Sequence, residues 1–559
     1  NEGVARATGV LALGNVASRV AGLARDITLT NLFGATAAMD ALTAAVLVPR
    51  SLYDLLIGGH VNGAIIPVLS EVVTVKGRGE LWRLVSVLLS MITVILAVLV
   101  VLLQLAAPLV VQVIASGSDA ATQAQAAHLL RIISPALIFM GLFAILSGTL
   151  YALRVFTWPA FATTVFNASI VTVTLILVPG PQFVPQLADG SAAWSLTRPD
   201  DSVTAAAIGW LVGSIAYVLL QVPGLRGARL RFTLRWRHPY LRQIGLLYVP
   251  VLFSLVMDTL IIRPFSYSLA TQTGAGNLTI MERATTLIQF PQGLVATAIS
   301  VAILPTLARQ AALIAASIRD ERQPDGDNAN TAFKDTLGLG LRLTLTLILP
   351  ATAGLFVLAT PIITLVFQHG AFTAADTEVT SLVLRLYLIG LPFAALDLLL
   401  VYAFYARQDT LTPALVGGLS LGVYMAVALA LVPRLGLYSL MIADSAKHLT
   451  HATICAVLLH RRVGGLGQQR LLLTAIRTGA AALGMAAATV LLLPLATSAI
   501  GTQGVLRETL LVVSVGGVSA LIFVGLAFAL KIEEWRLLLS MLRQRLTKNA
   551  ANPASGPPA

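Results

Sequence analysis

The sequence predicts an all-α polytopic membrane protein of about 14 transmembrane helices: two six-helix lobes related by a parallel repeat, plus two C-terminal helices. Three observations predict it. Hydrophobic residues make up 57% of the chain and charged residues 11%, where a soluble globular protein has about 25% charged residues. Apolar runs long enough for a helix of about 20 residues recur along nearly its whole length. Lys and Arg gather in short clusters between those runs, as they do in cytoplasmic loops of membrane proteins. The net charge of +12 is therefore assigned to membrane loops and not to nucleic-acid binding. A single cysteine, Cys455, excludes an intramolecular disulfide and any Cys-based metal cluster.

The runs fall near 7–33, 37–72, 82–115, 124–153, 158–180, 203–224, 243–271 and 280–314. Six more follow near 336–368, 378–406, 411–432, 435–460, 472–497 and 506–531. They are too long and continuous for the alternating ten-residue pieces of a closed β-barrel. The opening "NEGVARATG" lacks the charged-then-apolar pattern of a cleavable signal peptide. The end, "NAANPASGPPA", has nothing to bury and reads as a disordered tail.

Loop charge orients the runs. "KGRGELWR" (76–83), "GLRGARLRFTLRWRHPYLR" (224–242), "HRRVGGLGQQR" (460–470) and the tail from Lys531 all fall on one side if the count is fourteen. The opposite loop 180–202 has only Arg198 against Asp189, Asp200 and Asp201. The positive-inside rule then places both termini in the cytoplasm. The expected organisation is an N-lobe over 1–225, a C-lobe over 226–460, two further helices over 461–535 and a cytoplasmic tail over 536–559.

The two lobes share an internal repeat. "LLRIISPALIFMGLFAILSGTLYALRVFTWPAF" (129–161) lies without gaps on "VLRLYLIGLPFAALDLLLVYAFYARQDTLTPAL" (383–415). Arg131 meets Arg385, Tyr151 meets Tyr405 and Pro159 meets Pro413. "APLVVQVI" echoes "TPIITLVF", and "IIPVLSE" echoes "ILPTLAR". Six helices per repeat keep the halves in one orientation, the parallel arrangement of many transporters, with the substrate path expected between the lobes.

The first run holds charges in its middle: Arg19, Arg25 and Asp26. Each costs roughly 2.5–3.5 kcal/mol at a helix centre on insertion scales. At 100° per residue, Ser18 shares a face with Arg25, and Arg19 with Asp26, with Gly22 between them. One reading is snorkelling at a helix end. The other is a polar face on a water-filled cavity, where Gly22 permits a bend or close approach and the Arg forks bind phosphate oxygens. Asp40, Arg50, Asp54 and His60 on the second run, Asp258 and Arg263 on the seventh, and Glu282 and Arg283 on the eighth add to this set. Asp397, Asp444 and Lys447 read as internal pairs, with Asp258 and Asp397 as possible cation ligands. "HLTH" (448–451) places two His three apart with no carboxylate on that face, so no metal centre is expected. No GxxxxGK[ST] phosphate loop is present, so no nucleotide hydrolysis is expected.

"SRVAGLARDITLTNLFGATAAMDA" resembles the opening of the MurJ (MviN) lipid II flippases, a branch of the multidrug/oligosaccharidyl-lipid/polysaccharide exporter superfamily. The pattern falls on Ser18-Arg19, Gly22, Arg25-Asp26, Phe33-Gly34 and Asp40-Ala41. "PAFATTVFN", "QFPQGL", "ILPTLAR", "FQHGAFTAADT" and "FYARQDTLTP" look like family segments in the family's order. The resemblance implies a transporter and not an enzyme. It would carry undecaprenyl-diphosphate-linked peptidoglycan precursor from the inner to the outer leaflet of a bacterial cytoplasmic membrane by alternating access. It further implies no cofactor, drive by membrane potential or a cation, a monomer, and cell-wall synthesis machinery as the protein partner. The implied substrate-binding set is Ser18, Arg19, Gly22, Arg25, Asp26, Asp40, Arg50, Arg263 and Arg283. Two departures stand out. Tyr53-Asp54 replaces a family Arg-Arg pair, and Thr286 replaces a family Arg, so Arg50 and Arg283, each one turn earlier, are expected to supply the missing guanidinium groups. Export of another polyprenyl-linked saccharide or of drugs is the alternative. A membrane enzyme would need a cluster of acids and bases at headgroup level, and the loops hold none. A scaffold would not need buried Arg.

The sidedness has a direct check. Single cysteines at positions 230 and 465, in a chain whose Cys455 is removed, are expected to react with an impermeant maleimide only after the cytoplasmic face is opened. Labelling from the outside overturns this topology.

Overall fold

The computed structural model describes residues 2–54, 65–188, 191–236, 238, 240–241, 244, 257–319, 326–502, 504–537 and 540. The helices overlap the expected apolar runs, but the runs 37–72, 124–153 and 336–368 each hold two helices, and residues 245–256 of the seventh run lie outside the described residues, so the count of fourteen is not established. In the first half they are α1 (Glu2–Phe33), α2 (Ala37–Tyr53), α3 (Ile66–Val75), α4 (Gly77–Ile114), α5 (Ala120–Ile133), α6 (Ala136–Ala152), α7 (Thr157–Leu177) and α8 (Val203–Leu219). Then come α9 (Arg263–Gln272), α10 (Asn277–Pro291), α11 (Ala298–Arg319), α12 (Gly326–Val357) and α13 (Ala359–Phe367). The series ends with α14 (Ala374–Ala406), α15 (Leu411–Leu435), α16 (Tyr438–Val463), α17 (Leu471–Ile500) and α18 (Val505–Ala529). Wide-pitch π turns precede α9 at Met257–Ile262 and join α10 to α11 at Gln292–Thr297, just after Pro291 removes a backbone donor. His60 lies outside the described residues.

Among the described residues nine helices are long and apolar enough to cross a membrane, and a tenth span arises if the bent pair α5–α6 is one. The long helices α1 and α16 are not among the nine. Each spends part of its length on charge: Arg19, Arg25 and Asp26 on α1, Asp444 and Lys447 on α16. Outward-facing Leu13, Val16 and Val20 on α1, and Leu483, Leu491 and Leu495 on α17, are exposed as lipid-facing side chains must be.

By contact the chain forms two compact units. Unit 1 comprises residues 1–283 and 367–376; unit 2 comprises 284–366 and 377–559. In unit 1, α1 packs on α7, α7 on α8, α2 on α5, and α4 on α5 and α6. Its turns interlock through backbone that only glycine allows. A Cβ on Gly276 (φ +82°) would lie 2.2 Å from the Ala35 carbonyl oxygen. One on Gly34 (φ +64°) would lie 2.5 Å from that of Ala371. In unit 2, α15 packs on α16, α12 on α11 and α17, and α17 on α18. Phe333, Leu337, Leu399, Phe404, Cys455 and Leu459 form a buried cluster there.

Within each unit, loop residues are tied to neighbouring helices. Arg231 and Thr233 lie against α4, with Arg231 N donating to Ser86 Oγ at 3.0 Å and Thr233 N to Ser90 Oγ at 2.9 Å, and His238 Nε2 lies 3.2 Å from Glu80. In unit 2, Lys334 Nζ donates to the Gly464 carbonyl at 3.3 Å and Arg477 to that of Lys531 at 3.2 Å. One element departs from an all-α expectation. Strands β1 (Gln182–Ala188) and β2 (Ser191–Thr197) pair antiparallel, from Gln182 with Thr197 to Ala188 with Ser191. The signal was present, since Asp189-Gly190 is a preferred two-residue hairpin connection.

The repeat is visible in backbone detail. Arg131 Nε donates to the Gln104 carbonyl of α4, whose usual helical donor four residues on is replaced by Pro108, and Arg385 Nε donates to the Phe356 carbonyl near the end of α12. α6 closes with Arg154 at φ 61° and Val155 N donating to Leu150 O; α14 closes with Gln408 at φ 59° and Asp409 N donating to Phe404 O. These two left-handed residues occupy matching positions of the aligned segments. A non-glycine residue in that region is strained by roughly 1–2 kcal/mol. Gln408→Gly is therefore expected to stabilise the protein by about 1 kcal/mol, and Gln408→Val to destabilise it by at least as much. Thermal unfolding in detergent reads both, and a destabilising glycine overturns the assignment.

Candidate functional site

The site in unit 1 begins with the face of α1 that meets α7. Gly14 sets the approach: a Cβ there would lie 2.4 Å from the Ala160 carbonyl oxygen. Two turns on, a Cβ at Gly22 would stand at an ordinary 3.7 Å from Asn167 Nδ2. Close approach is thus made by Gly14, and α1 runs unbroken through Gly22. Arg25 then reaches across the same seam, its Nη1 donating to Asn167 Oδ1 at 3.0 Å. Asn167 is held by a 3.0 Å bond from its Nδ2 to the Thr163 carbonyl. The Arg25 guanidinium also stands 5.7 Å over the Trp210 ring of α8, a cation–π contact worth roughly 0.5–2 kcal/mol.

Asp26 is the centre of the cluster. Its buried carboxylate accepts from Arg25 Nε at 3.0 Å and Nη2 at 2.7 Å, and from Arg283 Nη1 at 3.0 Å. All three bonds use Oδ1. Arg283 is buried on α10, 257 positions away in sequence, and neither snorkels nor pairs with its neighbour Glu282. Glu282 instead accepts from the Tyr267 hydroxyl at 2.5 Å. Arg283 Nε, inside the protein, has no acceptor among the described residues. Two guanidinium groups share one carboxylate, which leaves the trio with one excess positive charge.

The other expected residues are distributed around this trio. Ser18 and Arg19 are half-buried on α1. Among the described residues no hydrogen bond or ion pair engages Arg19. Asp40 is buried, and its carboxylate is occupied: it accepts from Gly276 N at 2.6 Å, Thr279 N at 2.8 Å and Thr279 Oγ1 at 2.6 Å. It caps the start of α10 from a different helix. Arg50 is exposed on the last turn of α2. Arg263 lies 3.6 Å from Asp54 at the end of that helix, so the pair brings a cation back to where Tyr53-Asp54 departs from the family pattern. The Asp258 side chain lies outside the described residues. Asp397 belongs to unit 2, where it meets His451 Nδ1 at 2.5 Å. Sequence reasoning missed Asn167 and Trp210. Asn167 was findable as a lone amide in an apolar run; Trp210 carried no signal.

Comparison with known proteins gives a consistent answer. The sequence profile described as "Lipid II flippase MurJ" matches residues 29–548. A probable lipid II flippase MurJ of Haemophilus influenzae is 29% identical over 464 residues, covering 79% of this chain and 83% of its own. The lipid II flippase MurJ of Burkholderia cenocepacia is 30% identical over 406 residues, covering 71% and 72%. Among solved structures, a lipid II flippase MurJ in an inward closed conformation superposes with a TM-score of 0.72 at 22% identity, over 95% of this chain and 99% of that one. An inward-facing multidrug transporter of the MATE family and MOP superfamily gives 0.57 at 14% identity, over 81% and 96%.

The shared carboxylate makes a thermodynamic prediction. Asp26→Asn leaves two inward guanidinium groups without their counter-charge and is expected to destabilise the protein by about 3 kcal/mol. Adding Arg283→Met removes one of the orphaned cations, so the double variant is expected to be more stable than Asp26→Asn alone. Unfolding midpoints of the four chains give the coupling, and additive effects overturn the shared-carboxylate account.

Proposed function

Because this chain belongs to the MurJ lipid II flippase family, a family of transporters and not of enzymes, we propose that it flips a polyprenyl-diphosphate-linked peptidoglycan precursor, lipid II. The direction is from the inner to the outer leaflet of the cytoplasmic membrane, by alternating access. The observation that carries the reading is the excess of cation over carboxylate among Arg25, Asp26 and Arg283. Arg25 and Arg283 share Asp26, Arg283 Nε has no acceptor, and Arg19 has no partner among the described residues. A diphosphate brings at least two negative charges and several acceptor oxygens, which this set can match with forked guanidinium donors. Ser18 and Asn167 add neutral polar groups at the same seam. Arg50 and Arg263 are further cations of unit 1 for the headgroup, and Asp40 supports the site by fixing α10.

Movement of an anionic headgroup needs a driving force that the chain does not draw from nucleotide. One charge crossing 100 mV is worth ~2.3 kcal/mol, enough to bias a leaflet distribution strongly. The protein works as a monomer with both termini in the cytoplasm, and hands its product to the cell-wall synthesis machinery outside. Export of another polyprenyl-linked saccharide would use the same cation set and differ in what recognises the sugar and peptide.

Arg19 gives the cleanest test, since losing it breaks no ion pair among the described residues. Arg19→Ala is expected to leave insertion and thermal midpoint unchanged while abolishing lipid II flipping in proteoliposomes and growth of cells depleted of their own flippase. Arg19→Lys restores the charge without the fork and is expected to recover only part of the rate. Full transport by a stable Arg19→Ala protein overturns the role. Failure of the wild-type chain to support growth, together with flipping of a different polyprenyl-linked saccharide, points to the alternative cargo.

A further inference from the structure

Unit 2 holds a second polar constellation, built from three helices. Asp397 comes from α14, Pro413 from the first turn of α15, and His451 and Cys455 from successive turns of α16. His451 Nε2 lies 3.2 Å from the Pro413 carbonyl oxygen. A carbonyl only accepts, so Nε2 carries its hydrogen, and the tautomer of a neutral ring is thereby fixed. Nδ1 is left with a lone pair, which faces Asp397 Oδ1 at 2.5 Å and Cys455 Sγ at 3.8 Å. Two lone-pair atoms at 2.5 Å require a cation between them, and in this geometry that cation is a proton.

We propose that Asp397, His451 and Cys455 form a binding site for a divalent transition-metal ion of the zinc class. The donors are a carboxylate, an imidazole nitrogen and a thiolate, a set that selects zinc, cobalt or nickel over sodium or magnesium. The Nε2–H bond to a backbone carbonyl is the outer-shell contact that fixes the ring of a metal-ligating histidine. With Zn–N near 2.05 Å, Zn–O near 2.1 Å and Zn–S near 2.3 Å, tetrahedral ligation places Nδ1 roughly 3.6 Å from Sγ and roughly 3.4 Å from the carboxylate oxygen. The thiol already stands at the required distance. The carboxylate must withdraw by a little under 1 Å, or present its other oxygen.

Charge and protons balance. Binding one M²⁺ releases two protons, one from between Asp397 and His451 and one from the Cys455 thiol. The site is neutral before and after, which a low-dielectric interior favours. The neighbouring charges of α16 do not compete. Lys447 Nζ donates to Asp444 at 2.5 Å and stands 5.6 Å over the Tyr424 ring, and His448 Nε2 lies 3.7 Å from the other oxygen of Asp444. The ion would tie α14 to α16 beside the start of α15. This site is independent of the transport reading. An ordinary Asp–His hydrogen bond, by contrast, gives Cys455 no role beyond packing.

The chain holds one cysteine, so any thiolate-to-metal signal reports this position alone. Purified full-length protein titrated with Co²⁺ is expected to develop a thiolate-to-cobalt charge-transfer absorption and tetrahedral visible bands. These should saturate at one equivalent and be displaced by Zn²⁺. Cys455→Ser is expected to abolish the charge-transfer band, and His451→Gln or Asp397→Asn to weaken Co²⁺ binding at least tenfold. Absence of a charge-transfer band in the folded wild-type protein overturns the proposal, whatever the variants do. A band that persists unchanged in folded His451→Gln overturns the assigned ligand set.

Discussion

The carboxylate of Asp40 is the constraint on which the first unit turns. It lies on α2, just past the Phe33–Gly34 turn that ends α1, and its two oxygens satisfy the first backbone donors of α10. A helix start buried inside a membrane protein has no water to satisfy those donors, so a carboxylate there both fills their bonding and meets the positive end of the helix dipole. A conventional cap is worth about 1 kcal/mol. This one does more, because it fixes where α10 begins and hence which way it faces. Arg283 follows Thr279 by four residues and so lies on the same face, one turn further along. Its arrival at Asp26 is a consequence of the Asp40 cap, and Gly276 lets the turn come close enough for the cap to form.

From there the charges can be counted. Burying a cation without a counter-charge costs several kcal/mol, and breaking a buried pair costs about 3–5 kcal/mol. Asp26 meets the demand of two guanidinium groups with one carboxylate. A purely structural ion pair would be satisfied by one Arg and one Asp, and would leave no donor idle. Here Arg283 Nε is idle and Arg19 stands half-buried with no partner among the described residues. On the proposed reading, local stability is given up for an interior that attracts an anion. That is what an intramembrane charge cluster in a transporter is expected to show.

Much of the frame was legible in the sequence because it depends on local rules. Length and apolarity located the helices, and the 100° rotation per residue put Ser18, Gly22 and Arg25 on one face. What was not legible depends on residues far apart meeting. Asp40 was placed in the site without sight of Gly276 and Thr279, the donors its carboxylate meets far along the chain. Arg283 read as a stand-in for the Arg missing at Thr286, and its partner Asp26 could not be seen from α10 alone. "HLTH" was set aside because no carboxylate shares its helical face. The carboxylate comes from α14 and the thiol from a turn beyond the motif, a convergence that no single-helix periodicity contains. The hairpin at 182–197 was missed for a different reason. Its Asp-Gly signal was read for charge alone.

The repeat explains which features could diverge and which could not. Arg131 and Arg385 each donate to a carbonyl of another helix that lacks its own backbone donor or lies near the helix end, and Arg154 and Gln408 each hold a left-handed turn closed by the same backbone bond. Carbonyls left without a backbone donor, by a proline or by a helix end, are costly away from water, so a donor to them is retained in both halves even where the turn residue itself changes from Arg to Gln. Interior side chains carry no such obligation. The first half therefore holds forked guanidinium groups around one aspartate, and the second holds an Asp–His–Cys set beside an Asp–Lys pair. One frame supports two different polar interiors, because what the helices require of one another is backbone satisfaction, and what fills the space between them is free to follow the ligand.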